Sequence, residues 1–187
     1  MMRISKKLKV DELPPVSSYD YVTAMGQHAS SVTIITTIES DVCYGLTATA
    51  MTSVTATPPR LLVCVNKSGT THEKIIGAGI FAVNVLSEDQ EKIGKAFSGM
   101  FGKDFDRFSL GVWTTLVTSS PILQNTSSSF DCKLVQIIDQ STHSLFIGEV
   151  LATTARQGAD PLLYANKRFG QLRKSMTAPQ GEDMEYL

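Results

Sequence analysis

Three short stretches carry side chains suited to chemistry. In NKSGTTHEK, residues 66–74, Lys67 and the hydroxyls of Ser68 and Thr70 stand just before a predicted helix. Exposed N–H groups and the helix dipole make that position a phosphate cradle, although an ordinary N-cap beside a solvated lysine has the same spelling. In GLTATAMTSVTATPP, residues 45–59, Thr47, Thr49, Ser53, Thr55 and Thr57 share one parity, while Leu46, Ala48, Ala50, Val54 and Ala56 share the other. Successive strand residues point to opposite faces, so this spelling predicts one strand with a small apolar face and a hydroxyl-lined face. Over Thr47, Ala48, Thr49 and Ala50 the side chains are small enough for a flat ligand to reach the main chain; β propensity alone also explains the threonines. His143 follows the polar turn DQST and precedes SLFIGEV. That places it at a mouth, where it could bond a carboxamide or a phosphate without moving a proton.

Missing patterns narrow the chemistry further. No GxGxxG opens a βα unit, no GxxxxGK[ST] is present, and no Ser-His-Asp or Cys-His assignment stands out. His28, His72 and His143 lie far apart and outside any HExxH or Cys/His cluster, so no metal site is expected. Cys43, Cys64 and Cys132 are scattered singly, which points to a reducing compartment instead of a disulfide framework. A net charge of -1 argues against nucleic acid or anionic membrane as the partner. The N-terminal MMRISKKLKVDELPPV has no apolar segment after its positive charges, and no apolar run approaches a membrane span. The expectation is a soluble cytoplasmic domain. An enzyme of this composition draws its reactivity from a bound cofactor.

The elements that must position these residues are mostly strands. Residues 1–16 read as an arm ending at Pro14-Pro15, residues 17–173 as one domain and residues 174–187 as a polar tail. Ser18 is the expected N-cap of a helix with Tyr21, Val22, Met25 and Ala29 on its apolar side. Strands are expected over 31–40, 60–65, 80–86, 112–117, 128–139 and 143–154, the last two paired across the turn at 139–142. Thr70 with Glu73 and Ser87 with Gln90 have capping-box spacing. These predict a helix ended by Gly77 or Gly79, and a second helix burying Ile93, Ala96 and Phe97. Residues 98–111 read as a loop. Strands not regularly separated by crossover helices predict a mainly β, antiparallel, Greek-key-like barrel with a few peripheral helices.

In this order the segments resemble the short-chain flavin reductases, the reductase components of two-component flavin-dependent monooxygenases. GLTATAMTSVTATPP is similar to the family's block running from a glycine through Met-Thr and Ser-Val-Ser to Pro-Pro. AMGQHASSVTIITT, FAVNVLSEDQ, HSLFIGEV and DPLLYANKRFGQL match further blocks over roughly residues 20–172. The family's Gly-Asp-His reads Ser-Thr-His here and keeps only His143; Thr49 and Met51 also depart from the usual residues.

The resemblance implies an FMN-binding split barrel, usually a homodimer, that passes a hydride from NADH or NADPH to FMN or FAD. Reduced flavin then reaches a separate monooxygenase by diffusion. It implies that Thr47, Ala48, Thr49 and Ala50 line the isoalloxazine with Ser53 nearby, and that Lys67, Ser68 and Thr70 face the phosphate or ribityl chain. Phe101 and Lys103 would border the cofactor and His143 would meet the nicotinamide nucleotide. No side-chain nucleophile or obligatory general base is expected, because both rings react without one. An electron carrier or flavin-binding protein on the same barrel, with little NAD(P)H activity, is the alternative.

Overall fold

The computed structural model describes residues 13–173. The expected polar tail and most of the expected arm lie outside the described residues. In chain order the elements are α1 (Ser18–Met25), β1 (Ser30–Ser31), β2 (Thr33–Glu39), β3 (Val42–Ala48), β4 (Met51–Ala56), β5 (Pro59–Asn66), α2 (Thr70–Ala78), β6 (Ile80–Val85) and α3 (Glu91–Phe97). A 3-10 turn at Arg107–Ser109 follows, then β7 (Trp113–Thr114), β8 (Ile122–Leu123), β9 (Ser128–Gln140), β10 (His143–Ala155), β11 (Leu163–Ala165) and β12 (Arg168–Gly170).

Seven strands form one antiparallel sheet in the order β3-β2-β6-β9-β10-β5-β4. Its long hairpin is β9 with β10, paired as expected, but the turn between them is only Ser141–Thr142, because Asp139 and Gln140 still belong to β9. β2 and β3 are joined by Ser40 and Asp41, both at positive φ, the backbone twist that two-residue hairpin loops require. The mainly β, antiparallel architecture expected from the sequence is therefore present, with three helices outside the sheet.

The stretch 45–59 is two strands, which corrects the single strand read from its alternation. β3 pairs only with β2 and β4 only with β5, so the two halves stand at opposite edges of the sheet. Only Thr49 and Ala50 separate them, so the sheet must curl until its edges stand side by side. The Cys64 N–H donates to the Ala50 carbonyl at 3.0 Å and pins the junction. The two edges are not paired with each other. A curled sheet with an open seam results, and both edges leave backbone groups unpaired along it. The alternation also breaks within β4, where the pairing register shifts between Ser53 and Thr55.

Other boundaries shift for local reasons. Ser17, not Ser18, caps α1, its hydroxyl accepting the Asp20 N–H at 3.1 Å. The apolar side of α1 is not buried: no residue of that helix is, and Ala29 lies beyond it. Gly69 occupies the N-cap of α2 without a side-chain bond, so Thr70 begins the helix instead of capping it. Gly79 ends α2 in the left-handed region at φ 68°, and Gly77 lies inside the helix. The Gln90 carboxamide accepts the Ser87 N–H at 3.1 Å, one half of the expected capping box; the Ser87 hydroxyl turns to Asp89 and the Asn125 carbonyl. The expected strand over 112–117 is reduced to Trp113 and Thr114.

Two apolar clusters fill the molecule. Inside the curl, Ile35, Val63, Val65, Phe81, Val83 and Phe146 are buried on one another. Beneath α3, Ile93, Ala96 and Phe97 pack on Val32, Ile34 and Leu162, as the apolar side of that helix predicts. Gly45 allows this: a Cβ there would lie 2.7 Å from the Phe97 ring, so only glycine lets α3 approach β3 this closely.

Candidate functional site

A cavity of about 680 Å³ opens at the seam. That is within the range usual for pockets that hold cofactor-sized ligands. The junction itself, residues 47–50, forms part of its lining, and the end of β5, pinned to the junction through Cys64, continues it with Asn66, Ser68 and Gly69. His143 lines it as well, as do Phe97, Met100, Tyr164 and Phe169. Among the described residues no Asp, Glu, Lys or Arg lines it.

The 47–50 wall is held from behind. Thr47 donates its hydroxyl to the Gly94 carbonyl of α3 at 2.7 Å, and Thr33 donates to the Ala48 carbonyl at 2.7 Å. Side-chain hydroxyls therefore fasten the strand to its neighbours, which leaves the small side chains and the unpaired edge to face a ligand. At the end of β5 the Asn66 carboxamide oxygen accepts the Ser68 N–H at 2.8 Å and shapes the turn into α2. Because Gly69 brings no capping side chain, N–H groups of the first helical turn remain open to an anion or to water. The aromatic side rests on a cluster: Phe97 meets Phe108 edge-on at 5.0 Å and Trp113 at 5.6 Å, while Tyr164 meets Phe169 edge-on at 5.2 Å.

A chain of polar groups runs behind the β5–α2 turn. The Ser144 hydroxyl donates to Asp139 Oδ1 at 2.7 Å, and His72 Nε2 lies 2.9 Å from the same hydroxyl. Ser144 has one proton and a carboxylate can only accept, so His72 Nε2 carries the hydrogen between them. Lys67 Nζ completes the chain 3.2 Å from Asp139 Oδ1. The Ser144 hydroxyl, with Lys67 after it, holds the Asp139 carboxyl below the usual carboxylate range. The Lys67 N–H donates to the Thr142 carbonyl at 2.9 Å and Thr142 Oγ1 lies 2.9 Å from His143 Nδ1, which ties the two turns together.

Of the residues singled out from the sequence, Thr47, Ala48, Thr49, Ala50, Ser68 and His143 line this single cavity. Ser53, Lys67, Thr70, Phe101 and Lys103 are not among its lining residues. Ser53 pairs with Leu61 on the exposed outer strand, Thr70 is exposed at the start of α2, and Phe101 packs edge-on against Phe105 at 5.1 Å. Sequence reasoning missed Phe97, Met100, Tyr164 and Phe169, and it missed the His72–Ser144–Asp139 chain. The motif DPLLYANKRFGQL pointed at the aromatic pair; nothing local joins His72 to Ser144. Cys64 also lines the cavity, and burial pushes its thiol up, so it stands there as a neutral group.

The residues present fit a flavin. The 47–50 wall is small and backbone-rich, the aromatic side offers faces for a flat ring, and the uncapped start of α2 suits a phosphate. Comparison with known proteins agrees with that chemistry. The profile of the family described as "Flavin reductase like domain" matches residues 25–173. The chain is 38% identical over 161 residues to FMN reductase (NADH) RutF of Pantoea ananatis, covering 86% of this chain and 84% of that protein. Among solved structures, flavin reductase PheA2 superposes with a TM-score of 0.78 at 31% identity, over 85% of this chain and 100% of the other. Component B of a nitrilotriacetate monooxygenase from Mycobacterium thermoresistibile superposes with a TM-score of 0.78 at 25% identity, over 91% of this chain and 97% of the other.

Proposed function

The chain belongs to the flavin reductase-like family of oxidoreductases, and from that premise we propose that it is an NADH-dependent FMN reductase whose product serves a separate flavin-dependent monooxygenase. One observation carries this reading: the seam cavity brings residues 47–50, Ser68 and His143 to one space although they are far apart in the chain. The choice of FMN and NADH is supported by the relative named for both. The oxygenase partner is supported by the structural neighbour that is a monooxygenase component.

When bound, flavin supplies the ring that accepts a hydride from a dihydronicotinamide. The protein's part is to hold, orient and exclude water. Residues 47–50 offer the ring a close main-chain wall, and donors along that unpaired edge stabilise negative charge where it develops. Ser68 and the start of α2 receive the phosphate, with Thr70 beside them and Lys67 behind the turn. Phe101 and Lys103 border the mouth, and Ser53 stands beyond the wall. His143, oriented by Thr142, meets the nicotinamide nucleotide. The chain acts as a homodimer in the cytoplasm. The bare face of α1 supports the first point, with Tyr19 80% and Val22 59% exposed, and the free thiols Cys43, Cys64 and Cys132 support the second.

The deciding measurement is a steady-state matrix of FMN, FAD and riboflavin against NADH and NADPH, followed by nicotinamide absorbance. The highest kcat/KM is expected for FMN with NADH. Oxidation of NADH no faster than in a flavin-only blank would sink the reductase reading. Light scattering on a size-exclusion column tests the dimer.

A further inference from the structure

We propose that Asp139 sets the affinity for the flavin phosphate, by holding the Lys67 ammonium away from the cavity so that flavin exchanges as a substrate instead of staying as a resident group. This assignment rests on the flavin reading of the cavity.

Lys67 is the cation best placed to serve a phosphate, since its neighbours Asn66 and Ser68 both line the cavity, yet Lys67 itself does not. Its ammonium lies on Asp139 instead. Asp139 is not a passing surface carboxylate. The Ser144 hydroxyl fixes one of its oxygens, and that hydroxyl is held in turn by His72; Ser144 is 0% and His72 7% exposed. The acceptor is thus preorganised from the interior, while the Lys67 main chain is tied to Thr142 on the same turn. Lys95, whose ammonium lies 5.6 Å over the ring of the lining residue Phe169, is likewise paired with Glu91. Lys67 and Lys95 are therefore each neutralised by a carboxylate. A phosphate arriving at the start of α2 meets amide dipoles and hydroxyls but no uncommitted cation among the lining residues. Charge-assisted bonds are the strong ones in phosphate recognition, so withholding one loosens the ligand.

The isosteric variant Asp139→Asn keeps an acceptor for Ser144 and frees Lys67. FMN and riboflavin, which differ by the phosphate, are titrated by fluorescence quenching against the wild type, Asp139→Asn, and Asp139→Asn combined with Lys67→Met. In Asp139→Asn the FMN Kd is expected to fall about 3- to 5-fold at low ionic strength, the scale of an exposed ion pair. Riboflavin binding stays unchanged. The gain disappears with Lys67→Met, and with salt at about 0.5 M, where the Debye length is only a few ångströms. Lys67→Met alone, which leaves Asp139 uncompensated, weakens FMN but not riboflavin, and it reads the same interaction should Asp139→Asn fold poorly. An unchanged ratio of FMN to riboflavin affinity across these variants overturns the proposal while leaving the flavin site intact. Failure of both flavins to bind the wild type overturns the proposal and the site together.

Discussion

Asn84 and Asp139 each stand at the centre of a hydrogen-bonded cluster on the same sheet, one on β6 and the other on β9, but water reaches only the second. The Asn84 amide donates toward the Ile34 carbonyl, Thr36 Oγ1 and the Pro121 carbonyl, and its oxygen accepts from the Leu123 N–H and the Ser129 hydroxyl. All of these groups are buried. Asp139 draws on a buried serine and histidine but presents its own side chain 72% exposed beside Lys67. Breaking the first cluster strands several polar groups where no water can replace the lost partner. Breaking the second lets water step in. The closed cluster can therefore specify the fold, while the open one is cheap enough to rearrange for a ligand.

The sharpest way to break this contrast is Asn84→Leu. It is expected to cost about 3–4 kcal/mol, because the partner groups are left unpaired in the interior, while FMN affinity per folded molecule stays unchanged. Chemical denaturation reads the first outcome and titration of the folded fraction the second. A loss below about 1 kcal/mol would put the two clusters in one class. His72→Phe comes next, since it stands where the open cluster enters the core. The ring keeps its place against Phe146, 5.1 Å away between centroids, but Ser144 loses a donor. A cost of about 1 kcal/mol is expected in melts, together with a lowered KM for FMN, as a less firmly held Asp139 releases Lys67 toward the phosphate.

Acid separates the clusters because Asn84 and its partners carry no titratable group, whereas Asp139 does. Asp139 is held below the usual carboxylate range in the folded chain. Its contribution is therefore present above the unfolded value, near about 3.9, and is lost as pH falls through the folded one. Wild type should lose stability faster than Asp139→Asn below about pH 4, and the two should run parallel from about pH 5 to 8. Parallel curves throughout would remove the charge from the account. The smallest effect belongs to Lys67→Met, which changes the melting free energy by less than about 0.5 kcal/mol because the pair is exposed.

The two clusters also differ in how far the sequence announces them. Strand identity was legible at β2, β6, β9 and β10, where β-branched runs are bounded by turns, and the burial of Ile93, Ala96 and Phe97 followed from helical spacing. Period-two alternation failed at residues 45–59, because parity does not register a two-residue corner or a bulge. Helix starts slipped by a residue where serine, threonine and glycine compete for one cap. The wall at residues 47–50 was legible as a run of small residues, but β propensity explains the same spelling, and it was the family resemblance that singled the run out. Tyr164 and Phe169 were visible only as part of a motif.

The sequence alone determined that the chain is mainly β, lacks recognisable nucleotide and metal signatures, and carries the ordered blocks of a flavin reductase. Those properties reside in residue type and short spacing. Only the tertiary structure decided that residues 47–50 join the two edges of one curled sheet and that Lys67 is committed to Asp139. It also brought His72 to Ser144, 72 positions later in the chain. Antiparallel pairing and closure of the curl set which distant residues meet, and no local pattern encodes the partner of a side chain across a sheet.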